Sequence, residues 1–460
     1  MMWPCDFAGC QNPAVRTLGS CVICNSHLCS KHIQDTFHHC PTWRNPTAYF
    51  PAVQMAEENE LRQLISKINF GALAARASRL RNGRTCSVHP ARDDEETQGS
   101  VLGGMNYHIG VYFDDGIEWI ARVRRSNAAS PPPALRDYFV QSEAATLKFL
   151  ERTSVSAPKL IEFALETPDN PIGVGYILME RLRGKPLLWS LATQEQKRKV
   201  MDHIADTFIE LRKYPFDSLG SLNSPGDLNV GPFAWESLTE FPQSEMRTLG
   251  PFSSLEEYHK ASIQLILDQI VREEMYSQRP VDAYLVHRFL LDLIPFVLPS
   301  STKHEDQKFY LKHGDDKGNH ILVDDNFNVT GIIDWEWAHT ASPVNAFNSP
   351  ISFLPVHEFY EGRNNLGYDE DVFGQILEWK GHQDLADVVR KGRVQHRFAF
   401  CCGYDLVDWD GFVGLFQALR NAVKVDEGVD WDAWKAIALD RYKEDAGLQH
   451  LLLNRNVDIS

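Results

Sequence analysis

Residues 309–336 read FYLKHGDDKGNHILVDDNFNVTGIIDWE and indicate more about the fold than any other stretch of this 460-residue chain. Asp315 and Asp334 lie 19 positions apart, each at the end of a short apolar run. Between them, Ile321–Val323 and Val329–Ile333 read as paired strands joined by a polar turn. A hairpin with one acid before it and another at its exit can bring both carboxylates to one place.

Two converging carboxylates suit phosphoryl transfer. One aspartate orients the attacking hydroxyl group, and the other holds the magnesium ion that bridges the nucleotide phosphates. Acids that form turns or caps are also common where strands end, so either aspartate alone could be structural. The pair, flanked by His-Gly and by Ile-Ile and Trp-Glu, favours a nucleotide-handling site.

The stretch resembles the catalytic core of the aminoglycoside phosphotransferase family, especially its fungal branch. By that resemblance, Asp315 of the His-Gly-Asp motif is the expected catalytic aspartate, and Asp334 of the Ile-Asp-Trp-Glu motif is the expected magnesium ligand. The resemblance extends from about Val101 to the C-terminal helices. It implies an α+β, bilobal protein-kinase-like fold with a small β-rich N-lobe and a large helical C-lobe.

The chain departs from the family pattern at the second magnesium ligand. The family has an asparagine five residues after the catalytic aspartate, where this chain has His320, and Asn319 lies one residue earlier. Three alternatives are open: Asn319 moves into the site, His320 replaces it, or the second metal position is weak. Magnesium prefers oxygen ligands, so imidazole would be a poor substitute.

Two features of the expected N-lobe point to the phosphates. Gly103 and Gly104 precede a predicted hairpin, and glycines there let the backbone approach phosphate groups closely, although they could also form a simple turn. Kinase-like folds place a basic residue on the third strand, paired with a helix glutamate. By resemblance these are Arg122 and Glu143, while the neighbouring arginines at 124 and 125 are alternatives to Arg122.

A dense cysteine and histidine series opens the chain. Six of the nine cysteines fall within the first 40 residues, in the pattern C-x4-C-x10-C-x2-C-x4-C-x2-H-x5-H-x-C. Eight such donors make two tetrahedral zinc sites, and a unit this small needs metal to stabilise it. A disulfide framework is the alternative, but histidines at fixed spacing favour zinc.

The series resembles the AN-1-type zinc finger, with all eight ligand positions present. That resemblance implies two interleaved sites, with His27 and His39 as bystanders. The first comprises Cys5, Cys10, Cys29 and His32, and the second comprises Cys21, Cys24, His38 and Cys40. Such closed sites are structural, so the finger is expected to recruit a protein partner, as in ubiquitin-linked and chaperone-linked proteins.

Composition limits the class of partner and the compartment. The formal net charge is −16, which argues against nucleic acid and is compatible with a cationic small molecule. The start of the chain lacks a basic region followed by an apolar run, and no stretch reads as a membrane span. We therefore expect a cytoplasmic protein, with a nuclear location as the alternative.

The pattern along the chain predicts four regions. They are a zinc finger at 1–42, a helical linker at 43–99, the N-lobe at 100–183 and the C-lobe at 184–460. Helical periodicity runs from 52 to 81, with a possible break at Gly71. A Ser253/Glu256 capping box opens another helix, and 154–161 reads as a strand.

These observations predict a phosphotransferase that uses ATP or GTP with magnesium, acts on a small hydroxyl-bearing molecule and carries two zinc ions. A second hypothesis is a catalytically silent kinase-like scaffold whose zinc finger mediates protein interactions. The displaced asparagine and the arginine in place of the usual third-strand lysine favour this scaffold. Retention of both aspartates favours the enzyme.

Overall fold

The structure is a computed structural model that describes residues 1–16, 18–90, 104–298, 307–404 and 408–457. The first 40 residues form a small unit with one antiparallel ladder, β1 (Ser20–Cys21) with β2 (Ser26–His27). Two helices follow, α1 (Pro46–Lys67) and α2 (Phe70–Leu80).

The break between α1 and α2 lies at Asn69 rather than at Gly71. The Asn69 side chain accepts a hydrogen bond from the backbone N–H of Ala72 at 3.0 Å and so caps α2. An asparagine that satisfies an orphan N–H group begins a new helix more effectively than a glycine interrupts an old one.

A five-stranded antiparallel sheet, in the order β3-β4-β5-β7-β6, forms the small lobe. Its strands are β3 (Cys86–Pro90), β4 (Asn106–Phe113), β5 (Glu118–Arg124), β6 (Leu160–Ala164) and β7 (Tyr176–Glu180). Helix α3 (Pro133–Leu150) packs on β6 and β7, and apolar residues of α1 and α2 share a core with the sheet. β3 falls inside the predicted linker, whose boundaries stay predictions.

One strand prediction was wrong in its extent. The segment 154–161 was expected to be extended throughout, but the strand begins only at Leu160. Pro158 lacks the backbone N–H group that a sheet ladder requires, which explains the late start.

The large lobe is mainly helical. Its helices are α4 (Gln194–Leu211), α5 (Leu255–Val271), α6 (Pro280–Val297), α7 (Pro343–Ala346), α8 (Val356–Tyr360), α9 (Tyr368–Trp379), α10 (Gln383–Lys391), α11 (Arg393–Gly403), α12 (Trp409–Val423), α13 (Trp431–Arg441) and α14 (Ala446–Val457). Its short strands are β8 (Lys185–Pro186), β9 (Ser221–Leu222), β10 (Val230–Gly231), β11 (Thr239–Glu240), β12 (Arg247–Thr248), β13 (Tyr310–Lys312), β14 (Ile321–Val323), β15 (Val329–Ile332) and β16 (His339–Ala341).

The cap of α5 differs from the prediction by one residue. Ser254, not Ser253, accepts the hydrogen bond from the backbone N–H of Glu257 at 3.1 Å. Ser253 instead donates its hydroxyl to the Glu257 carboxylate.

The predicted hairpin is present as β14 paired with β15. The Asp324 carboxylate closes its turn by accepting from the backbone N–H groups of Asn326 and Asn328. On its other side, β14 pairs with β8, so the connection between the lobes is hydrogen-bonded to the hairpin. The α+β architecture with a β-rich first lobe and a helical second lobe is therefore as predicted.

Among the described helices, none combines the length and the apolar character needed to cross a membrane.

Candidate active site and metal clusters

Asp315 and Asp334 line the same cavity between the lobes. The cavity has a volume of about 410 Å³, within the usual range for small-ligand sites. Its wall combines β5 and β7 of the small lobe with the connection at Arg181–Gly184 and the hairpin of the large lobe. The convergence expected from the sequence is therefore present.

His313 joins the two segments that carry these acids. Its Nε2 donates to the backbone carbonyl of Ile333 at 2.9 Å, and its Nδ1 accepts from the backbone N–H of Asp315 at 3.1 Å. Both contacts require the neutral ring, and burial lowers the pKa of His313 accordingly. The imidazole thus fixes the start of one acidic loop to the end of the other strand.

Asp316, the acid that follows Asp315, has different contacts. The Asp316 carboxylate faces Lys312 at 3.5 Å and the backbone N–H of Ile351 at 3.4 Å, away from the cavity wall. Asp315 faces the cavity, with Lys317 at 3.3 Å from its carboxylate. Asp315 and Asp316 are adjacent in sequence, but only Asp315 lines the cavity.

Asp334 has an unusual backbone conformation. Its φ is +63°, a left-handed value that is uncommon outside glycine and concentrates at functional sites. Its side chain is 43% exposed. Burial of the carboxyl would raise its pKa, but the charge of Arg122 outweighs this and lowers the pKa, so Asp334 is ionised at neutral pH.

Arg122 occupies the centre of a buried charge cluster. Its guanidinium contacts the carboxylates of Glu143, of Asp334 at 2.6 Å and of Glu336 at 3.0 Å. Burial opposes its charge, yet these three carboxylates raise the pKa of Arg122. Burial also raises the pKa of Glu143, although Arg122 opposes that rise.

Neither of the two neighbouring arginines takes the place of Arg122. Arg124 pairs with Glu336, and Arg125 pairs with Glu60 of α1 at 2.7 Å. The contact between a third-strand base and a helix glutamate is thus made by Arg122 and Glu143. Arg122 also reaches Asp334, which the sequence did not indicate.

Of the two glycines predicted to approach the phosphates, the structure describes only Gly104. Gly103 lies outside the described residues. Gly104 lines the cavity, and a Cβ added there would meet nothing within 4 Å. Space at this position is therefore available for a ligand's phosphate groups or for a side chain.

The structure does not bring the candidates for the second metal position into the cavity. Asn319 is exposed and outside the cavity wall. His320 is buried against His313, with ring centroids 4.1 Å apart, and its Nδ1 accepts from the backbone N–H of Gly318. Burial lowers the pKa of His320 to about 2, so the neutral ring carries its proton on Nε2 and has no free lone pair for a metal. Neither Asn319 nor His320 lines the cavity, and both stay predictions for the second metal position.

The residues present fit a magnesium nucleotide. Asp334 offers an ionised, partly exposed carboxylate, the ligand type that magnesium prefers. Beside it are a guanidinium for phosphate oxygens and apolar side chains that suit a base. The apolar lining includes Ile120, Met179, Leu182, Leu322 and Ile333.

The N-terminal cysteines and histidines form two clusters, and these contain the same two sets that the sequence predicts. In each, the four ligand atoms lie within 4.8 Å of one another. Measured separations include 3.9 Å between the sulfurs of Cys10 and Cys29 and 3.5 Å from Cys24 Sγ to His38 Nε2. A tetrahedral site with Zn–S bonds near 2.3 Å separates its sulfurs by about 3.8 Å. Each cluster could therefore hold a zinc ion.

Three further residues belong to the site, although the sequence did not single them out for it. Glu336 accepts from Arg122, Arg124 and Asn106, and His313 joins the two loops. Glu336 and His313 lie within the quoted motifs, so their position beside the aspartates was an available signal. Asn106 carried none, because only the fold places it next to a residue 230 positions away.

Comparison with known proteins gives the same picture. Residues 110–345 match the phosphotransferase enzyme family (APH). A subtelomeric hrmA-associated cluster protein of Aspergillus fumigatus is 31% identical over 160 residues, which is 34% of this chain and 29% of that protein. Clavilactone A biosynthesis cluster protein Y of Ampulloclitocybe clavipes is 28% identical over 251 residues, 52% of this chain and 59% of that protein. The matches thus span less than two thirds of either relative.

Among solved structures, a putative aminoglycoside phosphotransferase from Ralstonia eutropha covers 78% of this chain and 100% of its own, with 13% identity and a TM-score of 0.44. The family match covers just over half of the 460 residues and includes β5, α3 and both acidic motifs. On that match, the chain belongs to the phosphotransferase enzyme family.

Proposed function

We propose that this protein transfers the terminal phosphoryl group of ATP or GTP to a hydroxyl group of a small molecule. The observation that carries the proposal is the convergence of Asp315 and Asp334 on one cavity between the lobes. Positioning and charge stabilisation account for most of the catalysis in such transfers, so the arrangement of a few charged groups is the decisive feature.

Asp315 would accept the proton of the acceptor hydroxyl and orient its oxygen. Asp334 would hold magnesium, which neutralises charge on the phosphate oxygens when bound. Arg122 donates to Asp334 in the structure. Once Asp334 has a metal partner, this N–H group can turn to the phosphates, while Glu143 keeps the guanidinium in place. Asn319 stays a prediction as a further ligand.

Nucleotide binding and turnover test the proposal in two steps. The melting temperature of the full chain should rise with magnesium and ATP, and Asp334→Ala should remove that rise. Slow ATP hydrolysis without an acceptor should be lost in Asp315→Asn, which keeps the side-chain shape but removes the proton acceptor. If magnesium and ATP leave the melting temperature of the wild-type protein unchanged, the proposal is refuted.

A silent scaffold is the second candidate. The ion pair between Arg122 and Asp334 favours it, because it occupies the carboxylate that a metal would use. Nucleotide binding without hydrolysis, unchanged by Asp315→Asn, would support this candidate over the enzyme.

For the finger, we infer one structural zinc in each cluster, since four protein donors leave no open coordination position. Elemental analysis should give two zinc ions per chain. Recruitment of a protein partner stays part of the proposal. The exposed Phe7 and Phe37, whose rings meet edge to face, are a surface that such a partner could use. A cytoplasmic or nuclear location likewise stays a proposal.

A further inference from the structure

The N-terminal finger is attached to the large lobe through a buried ion pair. The Arg16 guanidinium donates Nε and Nη2 to the Glu274 carboxylate at 3.1 and 3.0 Å, and the Arg16 backbone N–H donates to the Glu274 carbonyl at 2.8 Å. Both side chains are buried. The Ser30 hydroxyl adds a hydrogen bond to the Glu273 carboxylate at 2.6 Å. Breaking a buried ion pair leaves charge without compensation, so this attachment is costly to undo.

The finger also packs on helix α3 of the small lobe. The contact is an apolar cluster in which each of these side chains is at most 8% exposed. It joins Met2, Trp3 and Ala14 of the finger to Leu135 and Phe139 of α3. One small unit therefore holds an element of each lobe, and it does so at the helix that carries Glu143.

The position of Trp3 depends on the fold of the finger. Its indole ring stacks on the ring of His27 with centroids 4.9 Å apart, and its backbone carbonyl accepts from the N–H of Ala14 at 2.9 Å. Trp3 lies two residues before Cys5, a member of the first cysteine and histidine cluster. So small a unit needs its metal to fold, so the position of Trp3 depends on metal binding.

Helix α3 connects the finger with the candidate active site. Leu135, Phe139 and Glu143 follow one another at four-residue spacing, which places them along one face of the helix. All three are buried, and Glu143 pairs with Arg122. A displacement of α3 at Phe139 would therefore move Glu143, one turn later, and the guanidinium that Glu143 holds.

A second set of contacts connects Phe139 with Arg122 without following the helix. The Arg124 guanidinium lies over the Phe139 ring, 5.1 Å from its centroid, where the face of the ring attracts a cation. The same guanidinium pairs with Glu336, which also accepts from Arg122 at 3.0 Å. The packing of Phe139 thus affects both carboxylates that hold Arg122 from the protein side.

We propose that the finger is an intramolecular clamp on α3, and that Trp3 is a positioning residue for the nucleotide site. The inference rests on the proposed function, which assigns Arg122 and Glu143 to that site. Trp3 lies outside the wall of the nucleotide cavity and acts through Phe139. Loss of metal unfolds the finger and releases α3, so zinc and nucleotide each bind more tightly when the other is present.

Nucleotide affinity is the first test. Calorimetry on the full, zinc-loaded chain measures the binding of a non-hydrolysable ATP analogue with magnesium. Trp3→Ala should weaken this binding about tenfold, within the usual range for two coupled sites. Trp3→Phe should restore most of the affinity, because a ring again fills the cluster. Zinc content should equal that of wild type in both variants.

Trp43→Ala is the matched control, because it removes the same side chain from a position that is 68% exposed. It should change neither the zinc content nor the affinity for the ATP analogue. Unchanged affinity in Trp3→Ala, or an equal loss in Trp43→Ala, would overturn the role of Trp3.

Hydrogen exchange distinguishes positioning from general stabilisation. Without nucleotide, Trp3→Ala should speed the exchange of the α3 amides around Glu143. The amides of α12 should exchange as in wild type, because its apolar side chains belong to a separate core cluster of the large lobe. Unchanged exchange in α3, or an equal acceleration in α12, would refute the clamp.

Removal of zinc tests whether the finger acts through Trp3. Zinc-free wild type, with magnesium restored, should bind the ATP analogue about as weakly as Trp3→Ala does, and removing zinc from Trp3→Ala should add little, since two changes that act through one contact are not additive. Full affinity in zinc-free wild type, or full additivity of the two losses, would contradict the proposal.

The proposed function can fail separately from the clamp. If the ATP analogue does not bind to zinc-loaded wild type at all, the proposed function is refuted. The exchange of the α3 amides is measured without nucleotide, so it still decides whether the finger holds this helix.

Discussion

At the residue scale, the candidate site depends on one carboxylate, that of Glu336. It is 2% exposed and accepts hydrogen bonds from Arg122, Arg124 and Asn106. Removing one partner from such a buried cluster leaves the other charges without compensation, which costs more than the cluster contributes when complete. Glu336 is therefore expected to fix the position of Arg122 rather than to touch a substrate.

We expect Glu336→Gln to lower the free energy of unfolding by roughly 3 kcal/mol, because two buried guanidinium groups lose their shared negative charge. Urea unfolding at neutral pH measures this. Asp325→Asn is the control: that carboxylate is 85% exposed and pairs with Lys185 at the surface, so its loss should cost less than about 1 kcal/mol. Equal costs would contradict the assigned role of Glu336.

At the scale of elements, the loop before the hairpin and the segment after it are packed backbone to backbone. A Cβ added at Gly314 would lie 2.7 Å from the carbonyl oxygen of Trp337, and backbone cannot move aside as a side chain can. Trp337 itself has a φ of +60°. The positions of Asp315 and Asp334 relative to each other are thus set by this close contact together with the His313 bridge.

We expect Gly314→Ala to reduce phosphotransfer or acceptor-independent ATP hydrolysis about 100-fold, since displacements near 1 Å can cost that much. Magnesium–ATP affinity should change far less, because Gly314 does not line the nucleotide cavity. Gly403→Ala is the matched control, because its Cβ would meet no atom of the protein and it lies on α11, outside the cavity wall. Full activity in Gly314→Ala would show that the loop can move without consequence.

At the scale of the whole molecule, several buried or half-buried histidines make the fold sensitive to acid. Burial lowers the pKa of His396 to about 3, of His339 and His259 to about 4, and of His320 to about 2. The unfolded chain takes up these protons near pH 6.5, but the folded chain does not. Their contribution to stability is therefore complete above pH 6.5 and is lost as the pH falls towards the folded-state pKa values.

Each such histidine should contribute about 1.4 kcal/mol per pH unit to the loss of stability below pH 6.5. His396→Gln should therefore reduce the slope of unfolding free energy against pH by about that amount between pH 6 and 5. Denaturant titrations at a series of pH values measure both slopes, and parallel curves for wild type and His396→Gln would contradict the argument.

Local patterns were sufficient to predict several parts of this protein. The β14–β15 hairpin follows from two short apolar runs around a polar turn, and Asp315 and Asp334 follow from their position at its ends. Spacing indicated eight metal ligands, and the resemblance to the AN-1-type finger divided them into the two sets that the structure brings together. Contact between Arg122 and Glu143 was expected from family resemblance, and the geometry reproduces it.

What the sequence determined by itself is the fold class, the family, the paired aspartates and the composition of the two cysteine and histidine clusters. Each of these can be recognised from residue types that recur at short, fixed spacings along the chain. Only the tertiary structure decided that Glu336 binds two arginines, that His320 is buried against His313, and that the finger docks through Arg16 onto Glu274, 258 positions away. Contacts of that length depend on how packed elements meet, and no local pattern encodes where two distant surfaces will touch.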